Sequence, residues 1–467
     1  MIKLVVLWTD AMIFLLFAVA IMGVWWIRRR PHLLLPWKRL FKSRVGMVSM
    51  LILSLFIVIG LLDSFHYRVR LPDNGNGQTV YAAEVLSVFD TLVGDLRSHT
   101  EKTYSAPLAV YLYAKESMEM PDGKTLRDYP RLKYGGAHLL DTQQNHVGDL
   151  VKRGLTGMFV GGLSGALLAL LIVYIAAVRS RIGIREWINK QQKSPLNALL
   201  VTFVLIAILG GVIVNLAGAY HVLGTDKVGQ DVLYLSLKSI RTGLVIGTVT
   251  TLVMLPFALF LGIAAGYFRG RVDDVIQYIY TVLSSIPSVL LIAAAVLMMQ
   301  VTIEKHAEWF SSSVERADLR LLFLCLILGV TSWTGLCRLL RGEALKLREL
   351  EYIQAAQAFG VSSLRILSRH ILPNVMHIVL ISVVMDFSAL VLAEAVLSYV
   401  GVGVDPSTNS FGTLINNARL EMGRDPMVWW TLAAAFSFML VLVLSANLFA
   451  DAVRDAFDPR LNRTGDV

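Results

Sequence analysis

Residues 342 to 374 read GEALKLRELEYIQAAQAFGVSSLRILSRHILPN. The stretch is too charged to cross a bilayer, but it separates two apolar runs, residues 320 to 340 and 375 to 400, that are each long enough to do so. A connection this long and this rich in helix-forming residues is unlike an open loop. The sequence therefore predicts a structured connection between two membrane spans.

The pattern inside this connection predicts a helix, a turn and a second helix. Residues 343 to 359 are good helix formers, and Gly360 is suited to end that helix. Ser362 or Ser363 is expected to cap a second helix, which is expected to stop before Pro373.

The first of these helices has residues suited to contact another protein. Small side chains before the turn permit close approach, and apolar side chains beside them are suited to fill a groove. The small residues are Ala355, Ala356 and Ala358, and the apolar ones are Leu350, Ile353 and Phe359. From periodicity alone, an amphipathic connector at the lipid headgroups is an equally good interpretation.

Composition extends the membrane interpretation to the whole chain. Of 467 residues, 55% are hydrophobic and 16% are charged, whereas soluble domains carry about 25% charged residues. Apolar windows predict an all-α polytopic membrane protein with about nine transmembrane helices. They cover residues 5 to 27, 45 to 62, 154 to 178, 196 to 217, 244 to 266, 275 to 301, 320 to 340, 375 to 400 and 429 to 450.

The positive charge predicts an orientation and not a nucleic-acid site. More than half of the 43 Lys and Arg residues fall in connections that nine spans place on one side, beginning with Arg28, Arg29 and Arg30. Because such connections stay in the cytoplasm, we expect the N-terminus outside and the C-terminus inside. Cys325 and Cys337 lie in one apolar run and are expected to be packing residues.

The 342 to 374 connection resembles the EAA loop of ABC-importer permeases. The resemblance is carried by QAAQAFG and RHILP, in which Gln354 replaces the usual Glu. It implies a docking site for an ATPase subunit. The residues it assigns to that site are Glu351, Gln354, Ala355, Ala356, Gly360, Leu372 and Pro373.

Other segments resemble, more narrowly, the permeases of dipeptide and oligopeptide importers, in particular the subunit type with a long external segment. HVLGTDKVGQDVL (221 to 233) is similar to the LGTDxxGRDV signature of that family, and AGYFRGRVDD (265 to 274) is similar to its first cytoplasmic turn. Three further similar stretches are IPSVLL (286 to 291), AEAVLSYVGVGVDPSTNSFGTLINNAR (393 to 419) and NLFADAVRDAFDPRLN (447 to 462).

The resemblance implies a type I ABC-importer permease core with extra N-terminal spans. We expect two transmembrane helices in residues 1 to 62, an extracytoplasmic segment or small domain in 63 to 153, an additional hairpin in 154 to 217 and the permease core in 218 to 463. The family usually has six spans. Residues 1 to 35 and the hairpin are therefore additional, and the resemblance assigns them no role.

The resemblance also implies partner subunits and indicates which of them use ATP. The partners are a second permease subunit, two ABC ATP-binding subunits and an extracytoplasmic peptide-binding protein, all in or at the bacterial inner membrane with its lipid. The sequence has no GxxxxGK[S/T] phosphate loop, so ATP and Mg are expected to be used by the ATPase partners, with no cofactor on this chain. Nucleic acid is not an expected partner.

Two acidic residues within a predicted span are candidates for the translocation path. Asp386 lies near the middle of its run and Glu394 lies two turns beyond it, and neither is expected to face lipid. One interpretation places both on the path. The other gives each a fixed hydrogen bond to a neighbouring helix, as acids inside membranes often have.

Rival functions have weaker support. A membrane-embedded enzyme would need a nucleophile, base or metal spacing, and His221, His370 and His377 do not form such a cluster in the sequence. An ion-coupled secondary transporter would be expected to show an inverted repeat. Within the permease interpretation, peptides, antimicrobial peptides and nickel chelates all stay open as substrates.

Overall fold

In a computed structural model, residues 2–29, 31–71, 81–119, 125–140, 142–180, 195–306, 308, 310 and 312–457 are described. The long apolar runs are helical because a helix satisfies every backbone N–H and C=O within its own segment, which hydrocarbon requires. The helices are α1 (Trp8–Arg28), α2 (Pro31–Leu40), α3 (Arg44–Asp63), α4 (Val88–Leu92), α5 (Gly94–Ser98), α6 (Thr142–Ser180), α7 (Pro195–Ala217), α8 (Val232–Phe268), α9 (Gly270–Ser285), α10 (Ser288–Lys305), α11 (Ser313–Ser332), α12 (Thr334–Arg348), α13 (Glu351–Ala358), α14 (Ser363–Ile366), α15 (Leu372–Tyr399), α16 (Phe411–Glu421) and α17 (Trp430–Phe457).

The number of spans is confirmed. Among the described residues, nine helical stretches are long and apolar enough to cross a membrane. The predicted span 275 to 301 is wrong in its course, because α9 and α10 divide it. Pro287 holds the preceding Ile286 in an extended conformation, so the amphipathic α9 ends there and the span begins with α10.

The connection 342 to 374 also differs from its prediction. The first helix is interrupted, because α12 ends at Arg348 and Leu350 is extended before α13 begins. The second helix does not stop before Pro373. A π-helical turn, Leu367–Ile371, joins α14 to α15. Pro373 lies in the first turn of α15, where its missing N–H is tolerated.

Helix α8 is the centre of the core and packs against α3, α11, α12 and α15. Its close contact with α12 depends on Gly262 and Gly266. A Cβ atom on Gly262 would lie 2.8 Å from the Cys337 carbonyl oxygen, and one on Gly266 would lie 2.6 Å from the Ala344 Cβ. Cys325 and Cys337 are both free and buried, so their predicted role in packing is confirmed.

Short strands join the N-terminus to the 63 to 153 segment. Strand β1 (Ile2–Val5) pairs antiparallel with β2 (His66–Val69), and β2 pairs with β3 (Leu86–Ser87). A separate hairpin pairs β4 (Glu116–Glu119) with β5 (Thr125–Asp128). The N-terminus therefore lies at the same end of the helix bundle as the 63 to 153 segment.

Candidate functional site

Helix α13 is held on the bundle by one buried side chain. Ile353 is fully buried and packs in the same apolar cluster as Leu340, Ala344 and Ile366. The prediction that Ile353 fills a groove of another protein is therefore wrong. A helix this short needs an apolar anchor of its own, and Ile353 supplies it.

The other side of the loop is exposed and apolar at its tip. Phe359 is 87% exposed and Leu364 is 79% exposed. Between them Gly360 has φ +75° and a Cβ atom there would contact nothing within 4 Å. An exposed apolar patch that includes both side chains is a candidate surface for contact with another protein.

The residues assigned to the docking site are brought together only in part. Glu351, Gln354, Ala355 and Gly360 are exposed on and after α13, whereas Ala356 is half-buried. Leu372 and Pro373 lie at the beginning of α15, beyond the π-helical turn, with Leu372 packed against the core. The exposed residues of α13 form a surface, and Leu372 belongs to its support.

The turn between α8 and α9 is clamped to this loop. Arg348 donates a hydrogen bond to the Tyr267 carbonyl oxygen at 2.7 Å, and the Gln357 amide donates to the Tyr267 hydroxyl at 3.3 Å. Arg269 forms an ion pair with Glu349. The two segments that carry the family resemblance at this end of the bundle therefore form one unit.

A bidentate ion pair fixes α9 to α12 beside the same unit. The Nε and Nη2 atoms of Arg341 lie 2.6 and 2.7 Å from the two carboxylate oxygens of Asp273. These hydrogen bonds lower the pKa of Asp273. The paired geometry fixes the orientation of α9 relative to α12.

At the opposite end of the bundle, the 63 to 153 segment is locked to the LGTD stretch by a buried histidine. The two ring nitrogens of His221 lie 2.7 Å from Asp231 and 3.4 Å from Glu101. Burial alone would lower the pKa of His221, but hydrogen bonds with both carboxylates raise it to about 9. Asp231 also caps α8 by accepting from the Leu233 N–H at 2.8 Å.

Glu101 completes this contact. It accepts hydrogen bonds from the backbone N–H groups of Lys133, Tyr134 and Gly135 at 2.8, 2.8 and 3.2 Å. Burial alone would raise the pKa of Glu101, but the hydrogen bonds from His221 and these N–H groups lower it to about 2. The segment is thus folded around its contact with the core.

The first helix supplies a charge and a backbone donor to the core, and the sequence predicted neither contact. Asp10 lies 2.6 Å from Arg241 and 2.7 Å from the His66 Nδ1 atom. Thr9 donates its backbone N–H to Asp318 at 3.0 Å. The signal available in the sequence was Asp10 itself, since an acid inside an apolar run requires a partner.

Asp386 and Glu394 have different surroundings. Glu394 is buried and accepts hydrogen bonds from the hydroxyls of Ser398 and Ser410, at 2.6 and 2.9 Å. Asp386 is half-exposed at mid-span, and within the described part of the chain no side chain forms an ion pair or a hydrogen bond with it. The structure does not bring the two acids into one site.

The membrane helices, with a structured loop that exposes apolar side chains at one end, define a multi-pass membrane protein. The model of the family described as binding-protein-dependent transport system inner membrane component matches residues 258–463. The chain belongs to this family, and it is a permease subunit of an ABC importer. It is therefore a multi-pass protein of the inner membrane.

Curated relatives carry the same description in their names. The oligopeptide transport system permease protein OppC of Mycobacterium tuberculosis is 32% identical over 242 residues, which are 52% of this chain and 77% of that protein. The dipeptide transport system permease protein DppC of Bacillus subtilis is 28% identical over 247 residues, 52% of this chain and 70% of that protein. A chain of the MetNI methionine ABC transporter, solved in inward facing conformations, is 16% identical with a TM-score of 0.37, over 48% of this chain and 98% of that chain.

Proposed function

We propose that this chain is the permease subunit of an ATP-driven importer of peptides and forms half of its translocation pathway. Its relatives are named as oligopeptide and dipeptide permeases, which supports peptides over nickel chelates. The observation that carries the coupling role is the surface of α13, with Phe359 exposed at its tip and Ile353 buried beneath it.

The proposed complex contains a second permease subunit, two ATP-binding subunits and an extracytoplasmic peptide-binding protein. ATP and Mg belong to the ATP-binding subunits, one of which takes the Phe359 side chain and the exposed face of α13 into a groove. The loop then faces the cytoplasm. The N-terminus, at the other end of the bundle, is outside, and the C-terminus, whose residues 458–467 lie outside the described part, is inside.

Coupling follows from how α13 is attached. The short break at Leu350 links α13 to α12, and the turn at Gly360 links it to α14 and α15. Closure of the ATP-binding pair displaces α13 and tilts the helices attached to it, α12 and α15. The Arg341–Asp273 pair moves α9 together with α12. Contacts that differ between the two states of the ATPase supply the free energy for this change.

We assign different roles to the two membrane acids. Asp386 faces the translocation pathway, because an acid at mid-span with no side-chain partner among the described residues requires a polar neighbour from elsewhere. Glu394 holds the segment that leads into α16 through Ser410. Asp386→Asn is expected to change the preference for peptide charge, and Glu394→Gln to change the stability of the chain instead.

The test of ATPase docking compares two exposed apolar residues. Phe359→Ser is expected to abolish co-purification of the ATP-binding subunit from mild detergent and to abolish uptake. Leu420→Ser, at the other end of the bundle and 70% exposed, is the matched control and should retain both. Equal recovery of the ATPase with Phe359→Ser and with the unaltered chain would refute the docking surface.

A further inference from the structure

An apolar groove runs between α3 and α17 on the outside of the bundle. Its volume is about 430 Å³. Six aliphatic side chains line it, three from each helix: Val45, Val48, Ile52, Val441, Leu444 and Leu448. The groove starts at Arg44 and follows α3 to Ile52, a length of about 12 Å at the rise of an α-helix.

Beyond Arg44, the described lining of the groove offers no unsatisfied polar side chain to a ligand. Its two serines are satisfied within their own helices. Ser49 donates its hydroxyl to the Val45 carbonyl oxygen at 2.8 Å, and Ser445 donates to the Leu442 carbonyl oxygen at 3.0 Å. An occupant of the groove is therefore a hydrocarbon segment, since a polar one would lose its hydrogen bonds to water.

The end of the groove is cationic. Arg44 lines the groove and is exposed, and Lys42 is exposed two residues before it. In the described part of the chain neither residue forms an ion pair. Helix α2 adds the exposed Lys38 and Arg39 in its last turn.

Packing holds these charges at the end of the groove. Leu40 of α2 is buried against Ala452 and Ala456 of α17. A Cβ atom on Gly46 would lie 2.9 Å from Leu40 and 3.2 Å from Ala452, so α2, α3 and α17 meet closely at this point. The exposed charges of α17 in this region are Asp451, Arg454 and Asp455, so the described residues at the end of the groove carry a net positive charge.

We propose that this groove is a binding site for one anionic phospholipid of the leaflet on the side of the 342 to 374 loop. An acyl chain lies along α3 and α17, and the phosphate contacts Arg44. Charge at one end and aliphatic surface over the next 12 Å, about the depth of one leaflet, match an amphiphile. A lipid with a net negative headgroup is preferred because the exposed basic side chains attract it.

The test uses the assembled importer in defined lipid mixtures of phosphatidylglycerol and phosphatidylethanolamine, with native mass spectrometry of the retained lipid. We expect the unaltered complex to retain phosphatidylglycerol preferentially. Arg44→Gln is expected to reduce its retention about fivefold, and Arg44→Lys to preserve most of it. Arg454→Gln is the matched control, a basic residue at the same end that does not line the groove, and should retain lipid as the unaltered complex does.

A second variant tests the apolar part of the site. Val48→Trp fills the groove and is expected to displace both lipids from it, provided that the complex elutes as the unaltered one does. The Arg44 comparison does not depend on this variant. Unchanged retention of phosphatidylglycerol by Arg44→Gln would overturn the proposal. A second result would also overturn it: disulfide cross-linking of a Val48→Cys variant to the second permease subunit in membranes, which would show that protein covers the groove. Neither readout depends on uptake.

Discussion

The carboxylate of Asp10 lies 2.6 Å from the guanidinium of Arg241, although 231 positions separate them in the chain. Both residues are buried and both lie in membrane-spanning helices. A buried arginine is stable only with counter-charges, and Asp318 at 3.7 Å is the second one here. Helix α1 is therefore bound to the permease core and is not a separate anchor.

Removing one member of this pair is expected to destabilise the whole bundle. Asp10→Ala leaves the Arg241 charge with reduced compensation, and we expect a loss of about 3–5 kcal/mol in the free energy of unfolding. Thermal unfolding of the purified complex in detergent measures it. Asp95→Ala, at an exposed aspartate, should stay within about 0.5 kcal/mol of the unaltered chain. An equal effect of the two substitutions would contradict the structural role of α1.

The His221 contact predicts a pH dependence outside the membrane. The pKa of His221 is raised from 6.5 to about 9, so its contribution is complete below about pH 6.5 and is lost as the pH rises through about 9. The pKa of Glu101 is lowered from 4.5 to about 2, so its contribution is lost as the pH falls from about 4.5 to 2. The 63 to 153 segment is therefore held most firmly between about pH 4.5 and 6.5.

Hydrogen exchange measures this directly. The amides of Lys133, Tyr134 and Gly135, which donate to Glu101, are expected to lose protection between pH 6.5 and 9, after correction for the intrinsic exchange rate. Deprotonation of His221 lowers the free energy that holds the segment by about 3 kcal/mol at most. His221→Gln should remove the dependence above pH 6.5. Its persistence in that variant would assign it to another group.

Substitutions at Gly360 distinguish the effect of backbone strain from that of steric crowding. Its φ is +75°, but a Cβ atom there would have open space. Gly360→Asn is therefore expected to be tolerated, since asparagine adopts this conformation, whereas Gly360→Val is strained. We expect Gly360→Val to lower peptide uptake per ATP hydrolysed by the assembled importer. Equal coupling ratios in the two variants would show that the left-handed turn is not required.

The sequence was sufficient for features that depend on hydrophobic length and local conformation. Nine spans and the turn at Gly360 follow from them. The helix through Pro373 did not follow, because the π-helical turn before it is decided by how Ile366 and Ile371 pack against neighbouring helices. The burial of Ile353 could not be predicted either, because two turns of helix are too short for periodicity to show which face is buried.

The sequence alone does not predict the partners in the polar contacts. That Asp10 requires a partner is evident from its place in an apolar run, but the choice of Arg241 depends on which helices become neighbours. His221 is bound by one carboxylate ten positions away and another 120 positions away. The longer of these contacts is decided by the tertiary fold alone.

The α6–α7 hairpin provides a matched pair of neighbouring glycines. A Cβ atom on Gly211 would lie 2.4 Å from the Gly157 carbonyl oxygen and 2.7 Å from the Gly161 Cα atom, whereas one on Gly210 would meet nothing within 4 Å. Because Gly211 opposes backbone atoms, α6 and α7 must separate to accommodate any side chain there. At Gly210 an added methyl group faces open space and favours the helix.

We therefore expect Gly211→Ala to destabilise the hairpin and Gly210→Ala to leave it unchanged or slightly more stable. The measurement is the rate of disulfide formation between cysteines introduced at Gly162 and Ile208, because a Cβ atom on Gly162 would lie 3.4 Å from the Ile208 Cγ1 atom, which is ordinary contact. Separation of the helices by Gly211→Ala should slow cross-linking, and Gly210→Ala should not. Cross-linking at the same rate in both variants would mean that the hairpin does not depend on the contact between Gly157 and Gly211.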